Sequence, residues 1–204
     1  MSTAAPPNAP APPLADATPI GLIGLAVGCA ALTPIALGVS LTPAALSTAA
    51  IFCYLFGGAG QFVAGLVALI NRNIQGGTLL TAFSFNWFVN GWALESVAAG
   101  VFPDHGVLLA VDLTFLLIFL VLTWSFAHFS GLLALLLLDI DLLYVFKAVA
   151  GLTGTQSLAV PIAAATIILG LLALWLAFAI LVNPVAGRPV FGVPGPLIKP
   201  RAAR

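Results

Sequence analysis

Six apolar runs, each long enough to cross a lipid core, dominate this 204-residue chain. A hydrocarbon layer of about 30 Å takes roughly 20 helical residues. The runs fall near residues 19–39, 44–71, 79–102, 106–127, 130–151 and 157–182. Each is continuously apolar, which excludes the alternating pattern of a β-barrel. Only 6% of residues are charged and 62% are hydrophobic, too few charges to coat a soluble surface. The sequence therefore predicts an all-α membrane protein, with six transmembrane helices in one bundle and lipid as its main surroundings.

The breaks have physical causes. Thr42-Pro43 supplies a cap and a proline at the first helical position. Asn71-Arg72-Asn73 and Gln75-Gly76-Gly77 are too polar for lipid, and Phe102-Pro103-Asp104-His105-Gly106 reads as a turn. Ser130-Gly131 and Gly151-Leu152-Thr153-Gly154 separate the last three runs. Residues 1–18 form a Pro/Ala-rich leader, expected to be disordered. It lacks the basic start of a secretory signal. Residues 19–182 form the transmembrane domain and 183–204 a basic tail.

Loop charges set the expected orientation. Arg72, Arg188, Lys199, Arg201 and Arg204 fall on the side shared by both termini, and the opposite loops carry no Lys or Arg. Both termini are therefore expected in the cytoplasm, with the chain in the plasma membrane. Lys147 lies in the fifth run near its outer end, where it can snorkel outward.

No nucleophile motif, phosphate loop or metal-ligand cluster is present, so the sequence points away from an enzyme and implies no cofactor and no metal. Six basic residues balance six acidic ones, which speaks against nucleic acid as a partner. Cys29 and Cys53 read as small core residues.

The informative residues are polar groups inside the runs, because hydrocarbon penalises them unless they face the bundle interior or a wet pathway. Tyr54, Gly57, Gly58, Gln61, Gly65 and Ala68 share one face of the second helix. Such a face suits close packing, the thin wall of a passage, or both, with Gln61 in need of a partner. Asn86 and Asn90, four apart, share a face with Phe83. They read equally as interhelical amide bonds or as a site for a small polar solute. Glu95 lies on the opposite side, as a rim or subunit-contact carboxylate. Asp139 and Asp141 point to different faces of the fifth helix. One is read as balanced by a neighbouring helix, with Lys147 of another subunit as one such source. The other is a proton carrier, since a carboxyl can cycle between charged and neutral forms. Asp112 sits near the outer end of the fourth helix, within reach of water.

Several segments together resemble the acetate uptake transporter family, the succinate–acetate permeases. GGAGQFVAGL at 57–66 resembles its GGxxQxxAGL motif, and Leu80-Thr81-Ala82-Phe83-Ser84 its TAF segment. Asp16 to Leu22 resembles its opening signature, and Asn183 to Val190 its last-helix exit. The resemblance implies six helices per subunit, a homo-hexamer, and uptake of acetate and related small monocarboxylates coupled to protons, by symport or as a channel. It places the family's narrow point at Leu25 and Asn86, with a third residue near Asp141. Tyr54, Gln61 and Asn90 complete the expected pathway. The chain departs from the pattern at Asp16-Ala17, at Ala68 where an acidic residue is usual, and in lacking the aromatic residues of the constriction. An alternative cargo is a small neutral or cationic solute such as urea or ammonium, favoured by the Asn pair.

Overall fold

The computed structural model describes residues 14–199, so most of the expected leader, and Arg201 and Arg204 of the tail, lie outside the described residues. The described chain is all-helical. It comprises α1 (Thr18–Ala36), α2 (Pro43–Ile70), α3 (Ile74–Ala98), α4 (His105–Phe126), α5 (Gly131–Thr153) and α6 (Ala159–Ala186). Their bounds follow the six apolar runs within a few residues, except at the start of α3. There the polar Gln75-Gly76-Gly77 stretch is helical, because Asn73 Oδ1 accepts the Gly76 N–H at 2.9 Å and starts the helix early.

Four helices, α1, α2, α4 and α6, are long and apolar enough to cross a membrane. The other two, α3 and α5, are of similar length but carry the buried Ser84, Asn86, Asp139 and Asp141. The expected helix start at Thr42-Pro43 is present, with Thr42 Oγ1 accepting from Ala45 N at 3.2 Å. Asp104 and Ser130 begin α4 and α5 in the same way, accepting from Val107 and Leu133.

The helices form an arc in the order α3, α2, α1, α6, α5, α4, in which each packs on the next. Neither α4 nor α5 makes extensive backbone contact with α3, so the arc stays open between its ends. One face of the arc carries the 71–73 turn, the 127–130 turn and both described chain ends; we call it the terminal face. The far face carries the 37–42, 99–104 and 154–158 connections.

Packing in the first half rests on glycines. In α2 the stretch Cys53–Gly60 is π-helical, a wider turn made possible by its three glycines. A Cβ on Gly24 of α1 would collide with the Phe56 carbonyl, and the Cα atom of Gly60 would lie 3.7 Å from it. Gly57 and Gly58 are covered by the Trp87 and Phe88 rings of α3, Gly65 by Thr81, and Gly91 of α3 by Tyr54. The small-residue face of α2 is thus a packing surface.

The segment after α6 is folded back over the terminal face. Asn183 Oδ1 accepts the N–H groups of Val190 and Phe191 at 2.8 and 2.9 Å, and its Nδ2 donates to the Phe191 carbonyl. Trp175 Nε1 donates to Gly192 O, Gly131 N to Gly195 O, and Leu197 N to Ala127 O.

Replacing Gly24 with valine should force α1 away from α2 and cost about 1–3 kcal/mol, as overpacking in tight interfaces does. Thermal unfolding in detergent reads this as a lower midpoint. An unchanged midpoint would show that this contact does not hold the helices together.

Candidate functional site

Two cavities enter the open side of the arc from the far face. The outer one, about 520 Å³, is lined by His105, Asp112, Lys147, Thr155 and Gln156 together with apolar residues of α1, α4, α5 and α6. The inner one, about 160 Å³, is lined by Asn86, Val89, Asn90 and Ala93 of α3 and by Leu108, Val111, Asp112 and Lys147. The two share Leu108, Asp112 and Lys147, so they meet at that charge pair.

Lys147 Nζ donates to Asp112 Oδ1 at 2.8 Å and lies 5.1 Å from the centre of the Tyr144 ring. The Lys147 and Asp112 side chains remain 31% and 17% exposed, and both line the two cavities. The partner of Lys147 is therefore Asp112 of the same chain. Neither Asp139 nor Asp141 supplies it. The pairing follows from topology. Asp112 is seven residues into α4 and Lys147 six before the end of α5, so two antiparallel neighbours hold them at one depth.

Beyond the inner cavity the gap between the ends of the arc is filled by rings. Phe83 of α3 meets Phe119 of α4 edge-on, with centres 5.0 Å apart. Phe119 and Phe115 stack on Tyr144 of α5 at 5.6 and 5.8 Å. An aromatic barrier thus exists, built from positions other than those the family resemblance implied.

The expected pathway residues do not gather in one place. Asn86 and Asn90 line the inner cavity together, and Asn90 Nδ2 donates to the Asn86 carbonyl at 3.0 Å. Leu25 is buried in the core of the bundle. Tyr54 lies on the other side of α3, where its hydroxyl donates to the exposed Glu95 at 3.1 Å and its ring stacks near Phe88. Gln61 is fully buried in the α2–α3 contact and lines neither cavity, and its amide has no partner among the described residues. The pairing of Gly57 with Trp87 and Gly65 with Thr81 sets Gln61 opposite Ser84, whose own hydroxyl is taken by the Thr81 carbonyl at 2.6 Å.

Asp141 is buried between α4 and α5, where Thr123 donates to its Oδ2 at 2.7 Å and its Oδ1 is unpartnered among the described residues. Asp139, two residues earlier, is also buried and lies within Coulombic reach of Cys29 on α1. The two carboxyls do point to different faces, as their spacing requires.

Sequence reasoning missed the meeting of Lys147 with Asp112 and the ring layer of Phe115, Phe119 and Tyr144. The first had a usable signal in the equal depth of opposite charges on consecutive helices. The second had none, because aromatic residues in greasy runs look alike whether they face lipid or interior.

No family model matches the chain, and no curated protein matches it. Among solved structures it is similar to the bacterial acetate channel SatP, at 21% identity and a TM-score of 0.79, over 88% of this chain and 99% of that one. The two proteins share a fold.

Replacing Thr123 with valine removes the hydroxyl bonded to Asp141 while keeping the shape. Leaving a buried carboxyl without that bond should cost about 1–3 kcal/mol. Thermal unfolding of Thr123→Val against the unsubstituted chain checks this. Equal midpoints would mean that water replaces the hydroxyl at no cost.

Proposed function

We propose that the chain is a six-span plasma-membrane channel or transporter for acetate and related small monocarboxylates, with both termini cytoplasmic. The observation that carries this reading is the cavity pair entering the open side of an acetate-channel fold and ending on two asparagines against an aromatic barrier. The inner volume of about 160 Å³ fits a solute of a few heavy atoms and excludes a large one. Amide groups of Asn86 and Asn90 offer donors to a carboxylate that sheds part of its water. The Phe83, Phe115 and Phe119 rings beyond them offer no such donors, so an ion meets a barrier there and a protonated acid crosses more easily. Buried Asp141, held by Thr123 between α4 and α5, is the group we assign to carry a proton with the solute. Like SatP, the chain is read as a channel rather than an enzyme. Copies of it assemble as a hexamer in this reading, with the greasy outer faces of α4 and of the α2–α3 pair against lipid or neighbours.

A second reading is favoured by one observation. The charges at the meeting of the two cavities cancel, which suits a neutral solute such as urea. Flux into vesicles of purified protein separates the two, with acetate, urea and ammonium measured side by side at two pH values and the membrane potential clamped. Acetate faster than the others supports the first reading, and urea faster than acetate replaces it.

Asn86→Phe should fill the inner cavity with a ring and slow acetate uptake by about tenfold, the loss of one hydrogen bond to a charged group. Unchanged uptake would place the solute elsewhere.

A further inference from the structure

We infer that Lys147 receives the carboxylate of the solute and that Asp112 is a built-in competitor that keeps this grip weak. The inference rests on the monocarboxylate reading and adds to it the group that recognises the anion.

Lys147 is the single Lys or Arg within the six helices; Arg72 lies in the α2–α3 turn, and the other four follow α6. It stands where both cavities meet, so a solute passing from the outer to the inner one passes its ammonium. An ammonium has three donors, and Asp112 occupies one at 2.8 Å. The side chain is 31% exposed and lines both cavities, so the remaining donors are within reach of a solute. The face of the Tyr144 ring at 5.1 Å holds the cation from below without taking a donor. The Asn86 amide borders the same inner cavity, so one carboxylate can be passed from the ammonium to the amide.

Asp112 has two effects. It compensates Lys147 when no solute is present, so the mouth carries no uncompensated cation in an apolar surround. It also competes. An arriving carboxylate exchanges with Asp112 for donors, and the cost of leaving Asp112 unbonded is subtracted from its binding. A conducting site needs binding strong enough to admit the solute and weak enough to release it. A free lysine there would hold an anion too long; the pair sets the grip between these limits.

The test is the concentration dependence of labelled acetate uptake into vesicles reconstituted with the full chain, for the unsubstituted protein and for Asp112→Asn, Lys147→Met and Lys147→Arg. Asp112→Asn should lower the half-saturating concentration about tenfold, the worth of one charge-assisted hydrogen bond, and lower the maximal rate with it. Lys147→Met should abolish saturable uptake, because an unpaired carboxylate then faces the entering anion. Lys147→Arg should restore it in large part. Should Lys147→Met fail to give a monodisperse protein, Asp112→Asn still decides, since it keeps the cation. Saturation curves of Asp112→Asn and Lys147→Met that match the unsubstituted protein overturn this inference alone. Absence of acetate uptake by the unsubstituted protein overturns the monocarboxylate reading and this inference with it.

Discussion

Apolar side chains gain nothing by leaving oil for one another, so a bundle in lipid is held by how closely its backbones can approach. That constraint explains the first half of this molecule. Gly24 lets α1 and α2 approach until a methyl group no longer fits, Gly57 and Gly58 let α3 lay the Trp87 and Phe88 rings directly on the α2 backbone, and Gly65 admits Thr81. The π-helical turns at Cys53–Gly60 belong to the same economy of space, since a helix free of side chains on one face can widen without clashing. A large aromatic residue such as Trp87 then becomes nearly inaccessible even though it sits on a helix with many exposed neighbours.

The second half obeys a different rule. Polar groups are concentrated on α3 and α5, and the arc places α3 at one side of its opening and α5 just behind α4 at the other. Lys147, Asp112, Asn86 and Asn90 gather at that opening, while α4 turns an almost wholly apolar side outward, with Leu117, Val121 and Trp124 mostly exposed. Residues that lipid would penalise are thereby kept from it, and the seam between the ends of the arc becomes the one place where solute, charge and amide can meet. The ring layer of Phe83, Phe119 and Tyr144 replaces the backbone contact missing there.

Much of this was legible in the residues. Continuous apolar runs specify helices, and Thr42-Pro43 and Ser130-Gly131 specify where two of them begin, because caps and glycines act locally. The opposite directions of Asp139 and Asp141, and the shared face of Asn86 and Asn90, follow from helical periodicity alone. What one sequence does not encode locally is which helix faces which. Periodicity therefore groups Gln61 and Tyr54 with the asparagines, yet Tyr54 bonds to Glu95 and Gln61 is buried outside both cavities. The same gap in information hid the partner of Lys147, which lies 35 residues away in sequence and one helix away in space.

The backward fold of the last described stretch has a mechanical consequence. Its backbone joins the exit of α6, at Asn183 and Trp175, to the turn between α4 and α5, at Ala127 and Gly131. Those three helices are thereby laced at one end and cannot slide independently without breaking several main-chain bonds together. Any widening of the seam would therefore have to come from the glycine-packed trio of α1, α2 and α3.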